Sequence, residues 1–194
     1  MIGELSVPLL FRDMICVEGG IFMKQRNRYL FLLVVSASMA AVSMVLNRFA
    51  SIHTMGWTIG FAFVPIVLTA VLCGPFWAAA AGALADFVGA ILFPFGPYFP
   101  GFTVCGAVMG LVYGLFLYRE RLRWWQVVLP ALINNLILGL LVNTLWVSIL
   151  YGSKTYWGWF VYRLPEYAVL VPLNLFFIPV LFRLGAILRR RTGL

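Results

Sequence analysis

Residues 78–106, AAAAGALADFVGAILFPFGPYFPGFTVCG, constrain this chain more than any other stretch. A helix of mostly small residues carries one acid, Asp86. It then runs into a loop where Phe93, Phe95, Tyr98 and Phe99 are set between Pro94, Pro97 and Pro100. An ionisable residue in a membrane-type helix is costly, faces a bundle interior or a cavity, and marks a functional site by default. The acid beside a proline-held aromatic loop points to a ligand site.

The surrounding chain has the composition of a membrane protein. Hydrophobic residues make up 63%, charged residues 10%, and the mean hydropathy is +1.00, far from the balance of a soluble domain. Helical spans need about 20 residues each, so 194 residues have room for about six spans and almost nothing outside the bilayer. The expectation is an all-α integral membrane bundle of six transmembrane helices, a single domain over 1–194 with no soluble catalytic part. A net charge of +8 would suit nucleic acid only if gathered on a soluble face. Here the basic residues stand at span ends, where they set topology, and no nucleic-acid partner is implied. Cys16, Cys73 and Cys105 make no metal-ligand pattern. Cys73 and Cys105 read as small core hydrophobes.

Residues 1–22 form no clear span, and Met23-Lys-Gln-Arg-Asn-Arg then leads into an apolar run, so Met23 is the expected natural start. Residues 1–28 read as a cytoplasmic N-terminal extension; a helix lying on the membrane surface is the alternative for its first part. No A-x-A-like cleavage site follows a short apolar region. The expected spans are 29–47, 58–73, 75–93, 101–118, 125–150 and 164–188. Gly74-Pro75 makes a sharp turn, with Pro75 suited to a first helical position. Asn134, Asn135 and Asn143 in span five need hydrogen-bond partners. Residues 151–162 read as a second aromatic loop, with Trp157 and Trp159 as interfacial belt residues. Pro165, Pro172 and Pro179 imply kinks in span six. In span one Ala37 and Ala41, flanked by Ser36, Ala40 and Ser43, give a smooth face for close helix approach, either inside the bundle or against a partner subunit.

Six spans put both termini on one side. That side carries Arg12, Lys24, Arg26, Arg28, Arg119, Arg121, Arg123, Arg183 and Arg189–Arg191, and the other only Arg48, Lys154 and Arg163. The positive-inside rule places both termini in the cytoplasm. The outward loops then hold His53, the Phe95-Gly96-Pro97-Tyr98-Phe99 turn, Tyr151 and the outward cations. Aromatic rings offer stacking surfaces and cations pair with carboxylates. An outward-open pocket for a flat, anionic small molecule follows.

The runs GALADFVGAILFPFGPYFPGFT (82–103), MGLVYGLFLY (109–118) and NTLWVSILYG (143–152) resemble the folate-type substrate-binding S component of energy-coupling factor (ECF) transporters. The likeness covers most of the chain from Tyr29 onward; Glu166-Tyr167 departs from a basic-amide pair. The resemblance implies a folate-binding subunit of an ABC-type vitamin importer in the bacterial cell membrane, working with a transmembrane coupling subunit and two ATP-hydrolysing subunits. It places Asn143, Trp146 and Tyr151 of the third motif in the substrate site with Arg48, His53, Asp86, the loop aromatics and Arg163. It also implies docking of the coupling subunit on Ala37 and Ala41. The chain has no G-x-x-x-x-G-K-[ST] loop of its own for ATP.

Several of these residues carry a second reading. Asp86 can accept paired N–H donors from a pterin edge or close an internal polar network. Arg163 and Glu166, one turn apart, can form an intrahelical ion pair, and Arg48 can be an interfacial anchor. With one histidine and neither a GxSxG elbow nor an HExxH motif, the sequence supports no enzyme and no cofactor. Queuosine precursors, thiamine and riboflavin are the alternative flat ligands, and a membrane scaffold is the non-transport alternative.

Overall fold

In hydrocarbon every backbone N–H and C=O must find a partner within the protein, which favours continuous helices for apolar runs of this length. The computed structural model describes residues 9–54, 57–94, 98–119, 122–152 and 155–192, and side chains over 28–51, 58–94, 98–119, 122–152 and 155–189. The chain divides into two units, Met1–Val34 and Val35–Leu194. The first contains the beginning of helix α1 (Leu9–Phe49), and the second contains the rest of α1 and every later element. These are a hairpin of β1 (Ile52–Thr54) and β2 (Trp57–Ile59), then α2 (Phe63–Cys73), α3 (Pro75–Leu92) and α4 (Pro100–Leu117). There follow α5 (Trp125–Leu132), a π-helical segment Ile133–Val142, α6 (Asn143–Tyr151) and α7 (Tyr156–Thr192). Among the described residues five stretches are long and apolar enough to cross a membrane: Arg28–Phe49, Pro75–Leu92, Pro100–Leu117, Trp125–Tyr151 and Tyr156–Arg189.

The sixth expected span differs from its expected form. Thr58 and Ile59 lie in β2, paired antiparallel with His53 and Ile52, and the helix begins only at Phe63. Ile and Thr at these positions favour a pleated strand, and the hairpin lets the backbone groups of both strands satisfy each other. At 11 residues, α2 is about 16 Å long, short of a bilayer core. Nine of those residues are buried, because α2 is the hub of the apolar core. Phe63, Ile66, Val67, Ala70 and Val71 meet Ala78, Tyr113, Leu117, Val127, Ala131, Ile178, Leu181 and Phe182.

Helices α3 and α4 form the most extensive helix pair, and glycine spacing explains why. Gly106, Gly110 and Gly114 recur every fourth residue on α4. A Cβ at Gly110 would collide with the Ala78 carbonyl, and one at Gly114 with the backbone of Pro75. Backbones this close gain dispersion energy that larger residues would forfeit. On α1, Ser36, Ala40 and Ser43 are buried, whereas Ala37 and Ala41 are exposed. Ala40 packs on Ala81 and Ala85 of α3, and Ser43 Oγ donates to the Ala62 carbonyl at 2.7 Å. The inward face is therefore 36-40-43, and Ala37 and Ala41 look away from it.

The second aromatic loop is shorter than the sequence suggests. Residues 156–162 belong to α7, which continues through Pro165, Pro172 and Pro179. These prolines recur every seven residues, with Pro165 and Pro172 on the exposed face, so each lost hydrogen bond falls away from the core. Trp157 and Trp159 are two helical positions apart and point to opposite sides: Trp157 is exposed as a belt residue, but Trp159 is buried against Tyr151 and Tyr162. Cys73 and Cys105 are buried free thiols, as expected of core positions.

Replacing Gly110 with Leu should force α3 and α4 apart and lower thermal stability in detergent. Overpacking costs about 1–3 kcal/mol or more; an unchanged melting temperature would mean the two backbones do not need their close approach.

Candidate functional site

The π-helical turn that interrupts the fifth span shapes a cavity. Pro130 cannot donate to the carbonyl four residues back. Asn135 Nδ2 then takes the Ala131 carbonyl at 2.8 Å and the Tyr156 hydroxyl takes that of Leu141 at 3.4 Å. The π-helical segment has a wider turn than an α-helix, a feature that recurs at functional sites. It presents Asn134, Asn135 and Gly139 inward, opposite Tyr167 and Asn174 of α7. Gly139 leaves the room that the Tyr167 ring fills.

The resulting cavity has a volume of about 690 Å³, within the usual range for a small-molecule site. Its hairpin end is lined by Asn47, Arg48, Thr58, Pro94, Tyr98, Tyr151, Arg163 and Glu166. Its floor is made by Met109, Tyr113, Asn134, Asn135 and Asn174. Along α7 the eleven positions from Arg163 to Asn174 span about 16 Å. A smaller chamber of about 170 Å³ shares Asn47, Asp86, Phe102, Asn134 and Asn143 with the main one and continues to Ser43 and Cys105.

Two polar clusters hold the walls. At the hairpin end, Arg163 is buried and each of its nitrogens is bonded: Nε donates to Glu166 Oε2 at 3.1 Å, Nη1 to Thr144 Oγ1 at 3.3 Å and Nη2 to the Tyr167 hydroxyl at 2.9 Å. Glu166 Oε1 accepts the Thr58 backbone N–H at 3.0 Å. One buried ion pair thus ties β2, α6 and α7 together. The intrahelical pairing of Arg163 with Glu166 is present, and it lies in the cavity wall. Deeper, Tyr113 Oη donates to Asn174 Oδ1 at 3.3 Å, and Asn174 Nδ2 donates to Asn135 Oδ1 at 3.3 Å and the Leu170 carbonyl at 3.0 Å. Asn134 Nδ2 reaches the Met109 carbonyl at 3.4 Å. The side-chain oxygens of Asn134 and Asn143 are buried with no hydrogen-bond donor on them among the described residues.

Asp86 stands between these clusters. Thr103 Oγ1 donates to Asp86 Oδ2 at 2.8 Å. Since Thr103 has a single hydroxyl proton, the 3.1 Å contact between Tyr98 Oη and Thr103 Oγ1 has Tyr98 as donor. Asp86 therefore closes a relay from the aromatic loop while its carboxylate still borders both chambers. Arg48 lies against Gly89, one turn beyond Asp86 on α3, where it feels the carboxylate's charge.

The structure brings Arg48, Asp86, Tyr98, Phe99, Asn143, Tyr151 and Arg163 to one cavity wall. Trp146 stands behind it, tilted on the Phe99 ring with centroids 5.1 Å apart. Phe95 and Gly96 lie outside the described residues. His53 is placed by its backbone in β1, opposite Thr58, and its side chain lies outside the described set, as does Lys154. Sequence reasoning had not assigned Glu166, Thr58, Tyr113, Tyr167 or Asn174 to the site. The signal for Arg163, Glu166, Tyr167 and Asn174 was their placement at i, i+3, i+4 and i+11, one face of span six.

A profile of the family described as "ECF transporter, substrate-specific component" matches residues 31–182. The chain belongs to that family. The folate transporter FolT of Clostridium novyi (strain NT) is 37% identical over 71% of this chain and 80% of its own length. FolT of Leuconostoc mesenteroides is 30% identical over 73% of this chain and 75% of its own. Among solved structures, a crystal structure of FolT bound with folic acid matches with a TM-score of 0.73 at 33% identity, over 79% of this chain and 95% of that one. As a substrate-specific component, the chain is a multi-pass membrane protein of a transport system and not an enzyme.

Arg163→Ala should destabilise the unliganded protein by about 3–5 kcal/mol, because Glu166 would be left buried without its cation. Adding Glu166→Gln to that variant should recover part of the loss. Thermal unfolding of the two variants in detergent measures the difference; equal losses would show that the pair is not coupled.

Proposed function

We propose that this protein is the high-affinity folate-binding subunit of an ECF-type importer. It captures folate at the outer face of a bacterial cell membrane and delivers it with a transmembrane coupling subunit and two ATP-hydrolysing subunits. The observation that carries the reading is the cavity itself. A chain that shares its fold with folic-acid-bound FolT over 95% of that protein encloses about 690 Å³ walled by rings, amides and paired charges. Flat heterocycles stack on rings, and buried amides read N–H and C=O groups.

In the proposed arrangement the short α2 with its hairpin completes six crossings, and both termini are cytoplasmic by the distribution of Lys and Arg. The hairpin end of the cavity then faces outward. Tyr98 and Phe99, with Trp146 as backing, supply stacking surface; Asp86 and Asn143 accept hydrogen bonds from the heterocycle. Ala37 and Ala41 are the proposed contact for the coupling subunit. Their exposure, with the inward face of α1 occupied by Ser36, Ala40 and Ser43, supports a partner helix over packing inside the bundle.

Titration calorimetry of the purified protein in detergent, without ATP or partner subunits, should show tight binding of folic acid and none of comparable strength for thiamine or riboflavin. Preference for either rival would overturn the folate reading. Phe99→Ala should weaken folic acid by about 1–3 kcal/mol, the worth of one stacked ring in nucleobase sites. A third expectation concerns assembly. Ala37→Trp would hold a partner helix away yet leave the cavity intact, so folate affinity of the isolated protein should be near normal while co-purification with the coupling subunit and cellular uptake are lost. A variant that loses folate binding but still assembles would place this face inside the bundle's own packing.

A further inference from the structure

The hydrogen-bonding character of the cavity changes with depth. Around the floor and the smaller chamber stand buried acceptors: the side-chain oxygens of Asn134 and Asn143, which carry no donor among the described residues, and the carboxylate of Asp86. Buried acceptors left unmet are costly, so what fills the space beside them must bring N–H or O–H groups. The pterin end of a folate has a ring N–H beside an exocyclic amino group. The glutamate end has, at neutral pH, two carboxylates that only accept. Acceptor facing acceptor excludes the tail from the floor.

Among the described residues the hairpin end carries no net positive charge to hold the tail either. Four charged side chains line the cavity among the described residues, Arg48, Asp86, Arg163 and Glu166, and their formal charges cancel. Arg163 already donates to Glu166, Thr144 and Tyr167. Turning it to a ligand carboxylate would leave Glu166 buried and uncompensated, with the incoming anion beside it.

We infer that this pocket reads folates by the heterocycle alone, ring edge inward on the acceptor floor and glutamate tail outside in water. Its ligand class therefore includes tail-less pteroates and folates with extended glutamate chains on equal terms with folic acid. This rests on the folate reading above and adds which part of the molecule is recognised.

The test is calorimetry on the full chain in detergent with folic acid, pteroic acid and pteroyltriglutamate. The three affinities should agree within about threefold. Binding of folic acid should be nearly flat between about 50 and about 500 mM NaCl, since a neutral pocket gives salt little to screen. Glu166→Gln, which leaves Arg163 uncompensated, should create a preference for folic acid over pteroic acid of about tenfold or more. Should Glu166→Gln not fold, the ligand series and the salt series on the unaltered protein decide alone. Tight folic acid with pteroic acid weakened more than about thirtyfold, or a steep loss of affinity with salt, would overturn the inference and leave the folate reading standing. Binding of neither compound, with thiamine or riboflavin bound instead, would overturn both.

Discussion

A bilayer gives no water to an unsatisfied backbone group, so each departure from the α-helical ladder must be closed by something else in the protein. Two departures in this chain, the hairpin and the π-helical segment, border one cavity. The hairpin closes its backbone by strand pairing and passes one further N–H, that of Thr58, to Glu166. The π-helical turn hands the Ala131 and Leu141 carbonyls to Asn135 and Tyr156. Where the ladder is intact, on α3 and α4, glycines bring the two backbones into direct contact. Space for a ligand therefore appears where the backbone is irregular and polar side chains compensate.

The same side chains that repair the backbone make the walls of the site. Glu166 satisfies the hairpin and neutralises Arg163; Asn135 and Asn174 form a chain with Tyr113 across three helices. A buried ion pair adds little net stability when weighed against apolar packing, and breaking it is expensive. Its effect here is positional: it fixes β2 over the α6–α7 junction and so sets the shape of the cavity's hairpin end.

The membrane class, the Gly74-Pro75 turn and the helices α3 and α4 were legible in the sequence because hydrophobic runs and Gly/Pro punctuation are local signals; the small residues of α1, which read as one face, divide into a buried 36-40-43 side and an exposed 37-41 side. Asp86 stood out because a charge in an apolar helix has few explanations. The hairpin was hidden because its strands are three residues each, too short for alternation to show, and they adjoin an apolar run that reads as helix. The π-helical segment was hidden because its sequence, INNLILGLLV, reads as part of an ordinary apolar helix. The helical start of α7 was obscured by the density of Trp and Tyr at 156–162, residues with weak helix propensity that the fold overrides by stacking Trp159 between Tyr151 and Tyr162. For Arg163 the sequence left two roles open, cation for a ligand or partner of Glu166; the structure shows the pairing with Glu166 and adds bonds to Thr144 and Tyr167.

Helix α1 shows how one element can serve two surfaces without mixing them. Asn47 and Arg48, near its end, border the cavity, whereas Ala37 and Ala41 lie on the exposed side about 10 to 16 Å back along the axis. Between the two levels, Ala40 is held to Ala81 and Ala85 and Ser43 to the Ala62 carbonyl, so the segment from Ala37 to Arg48 is clamped to the bundle. Arg48, which lines the cavity, stands on the same helical stripe as Ala37 and Ala41, so the two surfaces are separated along the axis and not around it. A change in the ligand-facing residues can thus alter what is bound without altering that face, and a partner seated on Ala37 and Ala41 would meet the same surface whatever the cavity holds.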